Sequence, residues 1–91
     1  MSNGKTNEIK VTIPENVRAG NYANNTKITH TGEEFVLDFM LVVPPTGIVH
    51  TRIIFSPGHI KRVLNALQDN IQKYENKFGT IKAAQEPIIT N

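Results

Sequence analysis

Apolar residues recur with a period of two in several short runs within the first 55 residues, then every three or four residues from Ile60 to Phe78. A period of two places successive side chains on opposite faces of a strand, and a period near 3.6 gathers them on one side of a helix. Ile9, Val11 and Ile13 alternate with Lys10 and Thr12 and stop at Pro14, which cannot donate to a ladder, so they predict a short edge strand. Asn21 to His30 predicts a second strand, with Tyr22, Thr26 and Ile28 on one side and Ala23, Asn25, Lys27 and Thr29 on the other. In EEFVLDFMLVV, the residues Phe35, Leu37, Phe39, Leu41 and Val43 form an unbroken apolar row. A tight turn at Thr31 and Gly32 would set Ile28 opposite Phe35, Thr26 opposite Leu37 and Tyr22 opposite Leu41. After PPTG, with prolines to stop the strand and a glycine to turn it, IVHTRIIF predicts a fourth strand with Val49, Thr51, Ile53 and Phe55 facing one way.

The segment SPGHIKRVLNALQDNIQKYENKFG carries its own helix boundaries: Ser56 as N-cap, Pro57 in the first turn and Gly79 as the stop. Ile60, Val63, Leu64, Leu67, Ile71, Tyr74 and Phe78 form one apolar stripe, expected to lie on Phe35, Leu37, Phe39, Ile53 and Phe55. Leu67 and Ile71, at its centre, are therefore expected in the core. The resulting fold is α+β, a four-stranded antiparallel sheet followed by one long C-terminal helix packed on one face (ββββα). Residues 8–81 form this single domain, between a flexible N-terminus over residues 1–7 and a loosely held tail over residues 82–91.

NYAN at residues 21–24, EEFVLDF, the later Arg52 and the helical run through YENKFG occur in an order that resembles a family of short prokaryotic proteins of unknown function. The resemblance spans roughly residues 20–81. It implies the strands and the helix and carries no catalytic or ligand-binding residue with it.

Composition narrows the chemistry. Ninety-one residues make one modest core, and the chain has no cysteine, which excludes a disulfide framework and thiolate ligands. Its net charge is +2, with ten Lys and Arg spread among eight acids, so no phosphate-binding stripe is evident. The longest apolar stretch, Met40 to Val43, is far short of the roughly 20 residues that span a bilayer, and the opening MSNGKTNEIK has no apolar segment, which predicts a cytoplasmic protein with no membrane partner. His30, His50 and His59 lack metal-site spacing, the glycines form no phosphate loop, and Ser56, His59 and Asp38 lack the surroundings of a catalytic triad. No enzyme, cofactor or metal is expected. Asp38 and Arg52 interrupt apolar strands and are placed to pair across the hairpin.

One helix covers one sheet face, which leaves the other unexplained. Val36, Asp38, Met40, Val42, Ile48, His50, Arg52 and Ile54 fall on that outer face, an apolar patch among polar groups of the kind that a two-fold dimer covers. The expected function is a small non-enzymatic interaction module, homodimeric through this seam, with Lys61, Arg62, Gln68, Asp69, Lys73 and Asn76 on the polar helix face free for a protein partner. The alternative is a single-stranded nucleic-acid binder of PUR-like or whirly-like topology. Such binders need exposed aromatic platforms, and Tyr22 is the aromatic residue left for that role.

Overall fold

The structure is a computed structural model and describes residues 7–85 and 87. The ends expected to be loosely held lie partly outside this range, at residues 1–6, 86 and 88–91. The element order is α1 (Glu15–Arg18), β1 (Asn25–His30), β2 (Phe35–Val43), β3 (Thr46–Phe55) and α2 (Pro57–Phe78).

Among the described residues the sheet has three antiparallel strands in the order β1-β2-β3, and the expected first strand is not formed. Residues 8–13 pair with no edge, and Ile9 and Val11 stay 83% and 85% exposed. Alternation gives a segment an apolar side, but an unpaired strand has nothing to bury it against. The chain then passes Pro14 into the single turn of α1, held by Val17 N–H donating to the Pro14 carbonyl at 3.0 Å. Gly20 ends this turn with a positive φ of 76°, which glycine adopts without a Cβ penalty.

β1 starts at Asn25, four residues later than expected, and Tyr22 lies outside it. Its register with β2 sets His30 opposite Phe35, Ile28 opposite Leu37 and Thr26 opposite Phe39. The hairpin loop is therefore the four residues 31–34, not a two-residue turn. Thr31 causes the difference: its hydroxyl accepts from the Glu33 and Glu34 amides at 3.1 and 3.2 Å, and its own N–H donates to the Glu34 carbonyl. The pairing slips by two positions, which leaves every side chain on its expected face.

Pro44 and Pro45, joined by a cis peptide bond, link β2 to β3, and Gly47 lies inside β3 opposite Val42 rather than in the turn. The pairing shifts between Phe39 and Met40, so that Thr51 faces Phe39, Val49 faces Met40 and His50 is the extra residue. This bulge moves Ile48 opposite Leu41 and onto the Phe35 face, and it moves Val49 off that face, reversing the expected places of both. The apolar face of the sheet thus carries Ile28, Phe35, Leu37, Phe39, Leu41, Ile48, Ile53 and Phe55. The opposite face carries Lys27, Val36, Asp38, Met40, Val42, Val49, Arg52 and Ile54.

The helix has the expected ends. The Ser56 hydroxyl accepts from the His59 amide at 3.2 Å, Pro57 opens the first turn, and Gly79 closes it at φ 98°. Its packing is different from the expected one. Among the described residues the only sizeable contacts between elements are β1 with β2 and β2 with β3. Where the helix leaves the sheet, His59 meets Phe55 edge-on at 5.1 Å, and Ile60 and Val63 are half-buried. Ten strand residues and 22 helical residues each span about 33 Å, and the longest dimension is 60 Å. Ser56 alone lies between β3 and α2. The radius of gyration is 17.3 Å, against roughly 12 Å for a compact chain of this length. Among the described residues Leu37 and Met40 are the buried apolar ones.

Candidate functional site

The apolar stripe of α2 is uncovered. Leu64, Leu67, Ile71, Tyr74 and Phe78 are 46 to 65% exposed, so Leu67 and Ile71 are not core residues of the single chain. Ile60, Leu64, Leu67, Ile71, Tyr74 and Phe78 follow one another at steps of four, three, four, three and four, the spacing of a seam that packs against another apolar surface. Tyr74 and Phe78 touch at 5.0 Å between ring centres, and Lys77 lies over the Phe78 ring at 5.3 Å. The opposite side carries Lys61, Arg62, Gln68, Asp69, Lys73 and Asn76, all exposed, with Lys73 and Asp69 paired at 3.3 Å. The stripe and the polar side are thus well separated on one helix.

The apolar sheet face is also open over much of its area. Ile28, Leu41, Ile48 and Ile53 are exposed around the central row, in which Phe35 and Phe39 are half-buried and Leu37 is buried. Its Phe39 end is roofed by the segment after α1, where Asn21 donates to the Thr51 hydroxyl at 3.4 Å. A cleft of about 510 Å³ lies beneath, lined by Val17, Asn21, Ala23, Phe39 and Thr51 among others.

The outer face brings together Val36, Asp38, Met40, Val42, Arg52 and Ile54 of the expected seam, whereas Ile48 is on the opposite face and His50 sits in the bulge. Its centre is closed within the chain: Asp38 and Met40 are buried. Arg52 grips Asp38 through two parallel bonds, Nε to Oδ1 at 2.6 Å and Nη2 to Oδ2 at 3.0 Å. Donation from Arg52 holds the Asp38 carboxyl below its ordinary pKa despite partial desolvation, with the Arg52 and Lys27 charges adding to the effect. The guanidinium is raised in turn by the same bond.

Each histidine has a local partner. His30 stacks on Phe35 at 5.4 Å, His59 meets Phe55, and His50 bridges the Tyr22 carbonyl (Nε2, 2.9 Å) and the Thr51 hydroxyl (Nδ1, 2.7 Å). Since a carbonyl only accepts, Nε2 carries the proton. Among the described residues no three of His, Cys, Asp and Glu gather into a metal-sized group, and no helix is long and apolar enough to cross a membrane.

Asn24 is a structural residue that pattern reading alone does not reveal. Its carboxamide donates to the Val42 carbonyl at 2.9 Å and accepts from the Val42 amide at 2.8 Å, while its backbone N–H donates to Met40. The side chain thereby occupies the place of a strand residue beyond the end of β1. The sequence signal was its position in NYAN, immediately before β1. Tyr22, beside it, is 80% exposed.

No curated protein and no solved structure matches the chain. A family model does match, and its span takes in residues 8–13 and the whole of the sheet and helix. Residues 1–83 match the model described as Protein of unknown function (DUF3467), and the chain belongs to that family.

Proposed function

We propose that the protein is a small interaction module that works as a homodimer, with the stripe of α2 buried against a second copy. The observation that carries this reading is the stripe itself, seven apolar residues on one side of a helix that meets its own sheet only at its first turns. Contiguous apolar surface of this extent is what protein interfaces are built from. The chain exposes 8319 Å², against roughly 5,300 Å² for a compact protein of its mass. Residues 8–13, exposed and unpaired, contribute part of the excess. A standard interface takes about 800 Å² from each partner, so the helix and sheet together offer enough for a second copy to cover.

In such a dimer Lys61, Arg62, Gln68, Asp69, Lys73 and Asn76 remain on the outside, a mixed-charge face on which a further protein partner would dock. Sedimentation equilibrium over a range of micromolar concentrations tests the reading. The expected mass is twice 10.2 kDa, and a mass of 10.2 kDa throughout would overturn it.

A further inference from the structure

We infer that the dimer is held by reciprocal exchange of helices, α2 of each chain lying on the Phe35–Leu37–Ile53 face of the other. This deepens the dimeric reading and rests on it. The first reason is connectivity. One residue, Ser56, joins β3 to α2, and beyond the meeting of His59 with Phe55 the described part of the helix makes no sizeable contact with its own sheet. The apolar face of that sheet keeps Ile28, Ile48 and Ile53 exposed and the stripe keeps Leu64, Leu67 and Ile71 exposed, and within one copy the two meet only where His59 touches Phe55.

Closure supplies the second reason. If two copies met through their helices alone, both stripes would be covered but both sheet faces would stay open. With exchange, each helix closes one sheet and each sheet receives one helix, so a two-fold arrangement leaves neither surface free. Charge supplies the third. The outer face has the Asp38–Arg52 pair at its centre, and Arg52 remains largely in solvent; an apolar helix laid over it would strip that solvent away without offering a partner. On the apolar face, Ile28, Leu37, Phe35 and Ile53 present no charge, and the roof over Phe39 leaves this half clear.

Because the chain has no cysteine, single cysteines report contacts without background. Ile53→Cys and Leu67→Cys both alter residues exposed in the single chain. Mixed and mildly oxidised, these two variants are expected to link to each other at least tenfold more than Ile53→Cys links to Lys61→Cys, whose position is on the polar side. Efficient linkage of Leu67→Cys or Ile71→Cys to its own kind, with no link to position 53, would show helix paired with helix and overturn the exchange while leaving the dimer intact. A wild-type mass of 10.2 kDa would overturn both readings. Isotope-filtered NMR on a dimer of labelled and unlabelled wild-type chains needs no substitution. Contacts from Leu67 and Ile71 methyls to Phe35 and Phe55 rings across the interface are expected, and contacts confined to helix against helix would refute the exchange.

Discussion

Leu67→Ala separates association from folding. Leu67 is 56% exposed in the single chain, so that share of its side chain is available to a second copy. Complete burial of a leucine side chain is worth about 1.5–3 kcal/mol, which puts about 0.8–1.7 kcal/mol at stake per chain and about 1.7–3.4 kcal/mol in a symmetric dimer. At 1.4 kcal/mol per factor of ten, the dissociation constant should rise about 20- to 300-fold. The folding of α2 itself should not suffer, since alanine is at least as good a helix former as leucine. Leu37→Ala provides the contrast. Leu37 is 8% exposed within one chain, and losing its side chain should cost about 2–5 kcal/mol of stability at any concentration. Sedimentation equilibrium and urea melts at several protein concentrations read the two effects apart. A dissociation constant for Leu67→Ala within twofold of wild type would refute the assignment of the stripe to the interface.

Three further outcomes are expected. Asp38 is held below the ordinary range of an aspartate, so the stabilisation from its pairing with Arg52 is present above that ordinary range and lost as pH falls through the lower, folded-state pKa; Asp38→Asn should flatten this acid limb in urea midpoints measured from pH 5 to 2. Asn24→Ala removes two hydrogen bonds to Val42, each worth about 0.5–1.5 kcal/mol net, and hydrogen exchange should show faster loss of the Val42 amide than of the Met40 amide. Ser56→Ala deletes the bond to the His59 amide and should lower stability by about 1 kcal/mol, with an unchanged thermal midpoint counting against the cap.

The helix was legible in the sequence because its limits are set by neighbours in the chain: Ser56, Pro57 and Gly79 each act within one turn. The β1–β2 hairpin was legible in its faces and not in its offset. Whether a loop has two residues or four depended on where one threonine hydroxyl found its donors, and both choices keep Ile28 and Phe35 on one side. The bulge at His50 left no mark in IVHTRIIF, since an extra residue between Val49 and Thr51 changes pairing without changing composition. Ile9, Val11 and Ile13 wrote a strand without saying which edge would receive it. The same gap runs through the candidate site. Matching apolar patterns on α2 and on the Phe35 row indicated that the two surfaces suit each other, while within the single chain the described helix makes no sizeable contact with the strands.

Asn24 has a consequence for how the chain survives at high concentration. β2 extends beyond the end of β1, so at Val42 the middle strand would show a vacant N–H and C=O flanked by Leu41 and Val43, a ready template for a stray strand from another molecule. The Asn24 carboxamide fills that notch with one donor and one acceptor, matched in order to the groups it meets. It works as an end stop that completes the hydrogen bonding of Val42 and leaves nothing for a foreign backbone to continue. An aspartate there could accept but not donate, and an alanine could do neither, so either would leave a Val42 backbone group open at this corner.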